Sequence, residues 1–151
     1  MSHKPPTMSE YPPIKFSSEA NEWWQANRTI CIDFDRVIHP YDEWEGGKLN
    51  SDPVPGAMEA LVKLCQTGFH VVILTSRVMV HPGEGPEEAE RRRWEILKWI
   101  QARLPFGMPL PLEITSEKVP AVLYLDDRGM RFTSWKENLP QILKLLEEEQ
   151  R

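Results

Sequence analysis

The sequence predicts an α/β fold: a Rossmann-like parallel sheet flanked by helices on both faces, with a minimal cap. Three observations predict it. Short apolar runs alternate with amphipathic stretches along the chain, which is the order of successive βαβ units. The short runs are apolar without interruption, as strands buried on both sides are. Acidic, hydroxyl and basic residues follow the runs directly, at the strand ends where such sheets bind ligands.

The elements follow in order. Thr29-Ile30-Cys31-Ile32 is a β-branched, apolar run read as the first strand. Pro55 to Thr67 reads as a helix, with Met58, Leu61, Val62 and Cys65 at i, i+3, i+4 and i+7 and Gly68 at the C-cap. His70 to Leu74 is the second strand. Glu87 to Leu104 is a helix, acidic at its start, with Ile96, Trp99 and Ile100 on one face. Leu112 to Thr115 is a short strand and Ala121 to Leu125 a clear one. A last helix is expected to begin near Pro140, a residue suited to a first turn, with Leu139, Ile142, Leu143 and Leu146 on one stripe.

Ahead of these, residues 1–26 read as a tail, because Pro5, Pro6, Pro12 and Pro13 interrupt regular structure. Trp23-Trp24 is the exception, and at least one of the pair is expected to pack on the domain. Residues 27–151 are expected to form that single domain. The formal net charge of −5 argues against a protein that lives on long nucleic acid. With 40% hydrophobic and 27% charged residues the composition is that of a soluble globular protein. No apolar run reaches the ~18 residues that span a bilayer, and no export signal is evident at the N-terminus. The expectation is therefore a cytoplasmic protein without a membrane partner. Cys31 and Cys65 have no ligand-spaced neighbours and read as small core residues.

The strand ends carry the chemistry. The first strand runs into Asp33-Phe34-Asp35, the second into Thr75-Ser76-Arg77, and the strand from Ala121 into Asp126-Asp127-Arg128, with Lys118 just before that strand. Residues two apart on an extended chain point the same way, so Asp33 and Asp35 are expected to share one side. Crowded carboxylates repel unless a cation joins them, and hard oxygen donors without thiols or imidazoles suit Mg²⁺. A carboxylate beside such an ion, with a lysine opposite, is a place for a phosphoryl group.

These residues closely resemble the motifs of the haloacid dehalogenase superfamily. Its first motif, Asp-x-Asp-x-Thr/Val after a strand, reads here Asp33-Phe34-Asp35-Arg36-Val37. Its second, a Thr or Ser ending the next strand, is matched by Thr75. Its third, a lysine, is matched by Lys118, and its fourth, an acidic pair after a strand, by Asp126-Asp127. The resemblance runs from about Thr29 to Phe132. It implies a Mg²⁺-dependent phosphomonoester hydrolase. In that reading Asp33 attacks phosphorus and becomes an aspartyl-phosphate. Asp35 protonates the leaving oxygen and then activates water, and its main-chain carbonyl contributes to the metal site. Thr75 hydrogen-bonds the phosphoryl group, Lys118 balances charge, and Asp126 and Asp127 hold the ion together with Asp33.

Arg36 stands where many relatives have glycine, whose freedom eases the turn out of the strand. It reads either as a surface residue or as a contact to substrate, a role shared with Ser76, Arg77 and Arg128. Only about His39 to Pro53 separates the first strand from its helix, room for a flap around Tyr41 and Trp44 but not for a cap domain. An open site of this kind goes, in the superfamily, with bulky substrates or with oligomers that supply a lid. The chain shares Asp-Phe-Asp-x-Val-Ile-His with short phosphatases of phage and bacterial genomes. It is also loosely similar to the phosphatase domain of phage polynucleotide kinase. The implied partner is a phosphorylated small molecule or a nucleic-acid end. A catalytically silent binding module and a phosphotransferase are the alternatives, and oligomeric state is left open.

Several residues have plainer readings. Arg91-Arg92-Arg93 follows Glu87, Glu88 and Glu90 and reads as a solvated helix face. His39 is read equally as a substrate contact and as a loop residue without a role. His81 to Pro86 reads as a mobile loop.

Overall fold

The computed structural model describes residues 28–42, 44, 46–105 and 109–150. The expected tail, its boundary with the domain, and Trp23-Trp24 lie outside the described residues. Four strands form one parallel sheet: β1 (Thr29–Asp33), β2 (His70–Leu74), β3 (Leu112–Thr115) and β4 (Leu123–Leu125), in the order β3-β2-β1-β4. Among the described residues three α-helices accompany them: α1 (Ala57–Gln66), α2 (Pro86–Gln101) and α3 (Trp135–Glu149). This is an α/β, Rossmann-like architecture. None of the helices in the described residues is long and apolar enough to cross a membrane.

Register places Ile30 beside Val71, and Val71 beside Leu112; two residues on, Ile32, Ile73 and Ile114 repeat the alignment. These six side chains share one face, because strand side chains alternate. Met58 and Leu61 of α1 and Ile96, Leu97, Trp99 and Ile100 of α2 pack against them in a single core. The opposite face holds Cys31 and Val72, both buried. The Cys31 thiol contacts the Val119 carbonyl at 3.9 Å, and the Tyr124 hydroxyl donates to the same carbonyl at 2.6 Å. Helical cover on both faces was the expectation. Among the described residues, this part of the second face is covered by the β3–β4 connection, and α3 packs substantially against no other helix or strand.

The helix ends follow local chemistry. α1 closes into Gly68 at φ 84, the left-handed residue that glycine adopts without a Cβ penalty. α2 starts with Pro86, and the Glu88 carboxylate accepts from the Gly85 amide at 2.9 Å. α3 begins earlier than expected, at Trp135, with Pro140 inside it. The physical reason is its cap: the Ser134 hydroxyl accepts from the Glu137 amide at 3.1 Å, and the Asn138 side-chain oxygen accepts from the Thr133 and Ser134 amides. That cap sets the start and leaves Pro140 to cost one main-chain hydrogen bond.

Candidate functional site

β2, β1 and β4 are neighbours and parallel, so their C-terminal ends lie side by side and present Thr75, Asp33 and Asp126-Asp127 on one edge. A cavity of about 290 Å³ opens there, lined by Asp33, Asp35, Arg36, Tyr41, Trp44, Thr75, Ser76, Arg77, Asp126, Asp127 and Arg128. Every sequence-predicted site residue except Lys118 lines it.

Carboxylate oxygens of Asp33, Asp126 and Asp127 all lie within 4.8 Å of one another. Burial is the main reason the Asp33 carboxyl is pushed up to about 7; a hydrogen bond with Asp127 and the charges of Asp126 and Asp127 add to it, opposed by the Phe34 amide, which donates at 2.8 Å. Three hard oxygen donors whose repulsion is relieved by a proton suit a small dication such as Mg²⁺. Around them, the Asp126 side chain accepts from the Arg128 amide at 2.7 Å, and the guanidinium groups of Arg36 and Arg128 each lie 3.8 Å from Asp127.

Asp35 lines the same cavity but has different partners. Arg77 Nε donates to both of its carboxylate oxygens, at 3.0 and 2.8 Å, and Arg77 Nη2 donates to Oδ1 at 2.9 Å. The Asp35 side chain therefore lies apart from the three-carboxylate cluster, with only its main-chain carbonyl left for the metal role expected of it. Arg77 is buried, and its guanidinium lies 5.7, 5.6 and 5.1 Å from the rings of Phe34, Tyr41 and Trp44. It thus joins the flap to Asp35. Thr75 is buried at the cavity wall, and its hydroxyl oxygen accepts from the Arg77 amide at 3.2 Å, leaving the hydroxyl proton to donate.

Lys118 lies elsewhere. Its ammonium sits 4.9 Å from the Tyr124 ring, in an adjoining groove of about 940 Å³ that shares Asp33 and Asp126 with the cavity.

His39 is the residue that sequence reasoning undervalued. It is buried, stacks on Phe34 with centroids 5.3 Å apart, and places Nδ1 3.3 Å from Asp35 Oδ1. Burial first, then the charge of Arg77, lower its pKa against the opposing pull of Asp35, a net shift that favours the neutral ring, and Nδ1 faces the Asp35 carboxylate. Its spacing of four residues from Asp35 was the available signal.

Arg36 has φ 68, a left-handed backbone in a residue with a Cβ. Its Nε donates to the Tyr41 carbonyl at 3.2 Å.

The arginine run is corrected at Arg92 and Arg93. Arg91 is exposed and pairs with Glu95 at 3.5 Å, as a solvated face would. Arg92 is buried and donates to the carbonyls of Arg77 and Met79 at 2.6 and 2.9 Å and to the Glu84 carboxylate. Arg93 donates to the Ile114 carbonyl at 2.8 Å and to Glu90. The loop expected to be mobile is likewise fastened: Glu84 also accepts from the His81 amide at 3.1 Å, and Arg92 chiefly holds its carboxyl down at about 2.

No family model matches the chain, and no curated protein matches it. Among solved structures it is similar to one described as the conserved protein coded by a locus from Bacteroides thetaiotaomicron, at 23% identity and a TM-score of 0.46, covering 78% of this chain and 91% of that one.

Proposed function

We propose that the protein is a Mg²⁺-dependent phosphomonoester hydrolase that works through an aspartyl-phosphate on Asp33. The observation that carries the reading is the convergence of Asp33, Asp126 and Asp127 within 4.8 Å beside Thr75 at the ends of adjacent parallel strands. The three carboxylates would hold the ion, which supplies charge neutralisation to the phosphoryl oxygens. An Asp33 oxygen attacks phosphorus as the ester P–O bond breaks. Asp35, oriented by Arg77 and His39, passes to the leaving oxygen a proton that it first receives from solvent. Asp35 then takes a proton from water as that water cleaves the Asp33–phosphorus bond and frees phosphate. The Thr75 hydroxyl donates to a phosphoryl oxygen, and Arg36 and Arg128 supply positive charge at the mouth. Lys118 reaches Asp33 by swinging off Tyr124 on its flexible stem.

The open cavity, with Tyr41 and Trp44 as an aromatic wall, supports a substrate with a planar group next to its phosphate, such as a nucleotide or a polynucleotide end. The position of Lys118 on Tyr124 favours the second reading, a phosphate-binding module without turnover. Phosphate release from an aryl phosphate, mononucleotides and oligonucleotides with 3′ or 5′ phosphates separates the two. Release that needs Mg²⁺ and falls on the order of a thousandfold in Asp33→Asn supports the hydrolase. A folded protein that binds but never releases phosphate, or an Asp33→Asn variant as active as wild type, rejects it.

A further inference from the structure

Two guanidinium groups at the mouth of the cavity converge on one carboxylate without hydrogen-bonding it. Arg36 Nη1 and Arg128 Nε each lie 3.8 Å from Asp127 Oδ2, beyond hydrogen-bond distance. Among the described residues, the one hydrogen bond that either guanidinium donates runs from Arg36 Nε to the Tyr41 carbonyl. Both Nη groups of Arg36 and the whole fork of Arg128 are thus left for another acceptor. Arg77 in the same cavity differs, since three hydrogen bonds commit it to Asp35.

Arg36 is held at the mouth against its backbone preference. Its φ of 68 lies in the region where a Cβ is disfavoured, and outliers of that kind concentrate at ligand-binding sites. The bond to the Tyr41 carbonyl and the Tyr41 ring, 5.8 Å from the guanidinium, fix where the fork stands.

Size says that a substrate reaches these arginines. At about 290 Å³ the cavity falls just below the ~300–1,000 Å³ of a site that encloses a small molecule, so a phosphoryl group fits within and the rest of its ester projects past the mouth. The side chains of Arg36 and Arg128 are 45% and 72% exposed, and both extend to meet it. Two planar forks exceed what one carboxylate can take up side by side, whereas a tetrahedral phosphate accepts a fork on each of two edges.

We propose that Arg36 and Arg128 form a second phosphate subsite, which selects substrates carrying a further phosphate one nucleoside away from the phosphoryl group at Asp33 and Thr75. The inference rests on the phosphohydrolase reading for the inner cavity and deepens it by requiring a second anion. The intervening nucleoside lies against Tyr41 and Trp44, which line the same mouth.

Calorimetry on the full-length Asp33→Asn protein in Mg²⁺ tests the subsite without turnover. Adenosine 3′,5′-bisphosphate is expected to bind about tenfold more tightly than adenosine 5′-monophosphate or 3′-monophosphate. Arg36→Gln/Arg128→Gln, with an unchanged far-UV spectrum, is expected to close that gap to about twofold or less. Arg36→Lys/Arg128→Lys, which keeps the charge and loses the fork, should fall between. The 5′-phosphorylated dinucleotide pApA distinguishes the source of the second phosphate: a gain equal to that of the bisphosphate assigns an internucleotide phosphate, and a gain confined to the bisphosphate assigns a free nucleotide. Equal affinity for ligands with one and two phosphates, or a gap that the glutamine variant leaves intact, overturns the proposal. Phosphate release by the wild type is measured separately. Its absence beside an intact gap rejects the hydrolase reading and leaves the subsite standing.

Discussion

Replacing Arg77 by methionine isolates the contact that joins the flap to the site. The methionine keeps an apolar stem against Phe34 and Tyr41 and removes the guanidinium. Three hydrogen bonds to Asp35, of 2.8 to 3.0 Å, disappear. Arg77 is 5% exposed, and among the described residues Asp35 and the rings are what its guanidinium meets. Breaking a buried ion pair from one side costs about 3–5 kcal/mol because the remaining charge is stranded. The Asp35 side chain is 23% exposed and regains some water, which brings the expected loss to about 2–3 kcal/mol. At about 3–5 °C per kcal/mol for a domain of this size, Tm falls by about 6–15 °C. Urea unfolding measures the free energy directly, and a double-mutant cycle with Asp35→Asn isolates the pair. Arg77→Lys is expected to recover only part of the loss, since an ammonium cannot reproduce the planar fork. An Arg77→Met protein within about 0.5 kcal/mol of wild type, with an unchanged urea slope, would refute the reasoning.

Two further predictions concern the same edge of the sheet. Arg36→Gly is expected to be about 1 kcal/mol more stable than Arg36→Ala in urea unfolding, the reverse of the usual order, because both lose the side chain and only glycine relieves the left-handed φ of 68; equal stabilities would remove the strain argument. Asp33 has its pKa raised from the ordinary value of about 4 to about 7, chiefly by burial. The native state therefore binds more protons than the unfolded chain between these values, and with EDTA present this group's contribution to stability is lost as pH rises through the window. Thermal unfolding in EDTA should show wild type losing stability relative to Asp33→Asn from about pH 4 to pH 7, and added Mg²⁺ should restore wild type most at the upper end. A difference that is flat with pH would mean that the carboxylate is not perturbed.

Much of the framework was legible because it rests on local signals. Uninterrupted apolar runs gave β1 and β2 their places. The acids, hydroxyls and arginines that follow the strands in the chain necessarily follow them in space, so Asp33, Thr75 and Asp126-Asp127 could be placed at one edge from the residue order alone. The left-handed residue at Gly68 was visible because a helix stripe stops there. Boundaries were less legible: α3 starts at Trp135 because the Ser134 and Asn138 side chains cap it, a hydrogen-bonding choice that the apolar stripe does not encode.

What the tertiary structure alone decided are the pairings across the chain. Arg77 reaches Asp35 over a separation of 42 residues, and Arg92 reaches the Arg77 carbonyl over 15, which turns one member of an apparently solvated arginine run into a buried clamp. Lys118 lies over Tyr124 rather than in the cavity that its position in the sequence suggested. His39 goes beneath Phe34 instead of into the flap. Periodicity states which side of an element is apolar, and adjacency states which residues leave a strand together. Neither states which charge a long side chain will meet, because that depends on where separate elements come to rest and on which charges burial forces into company.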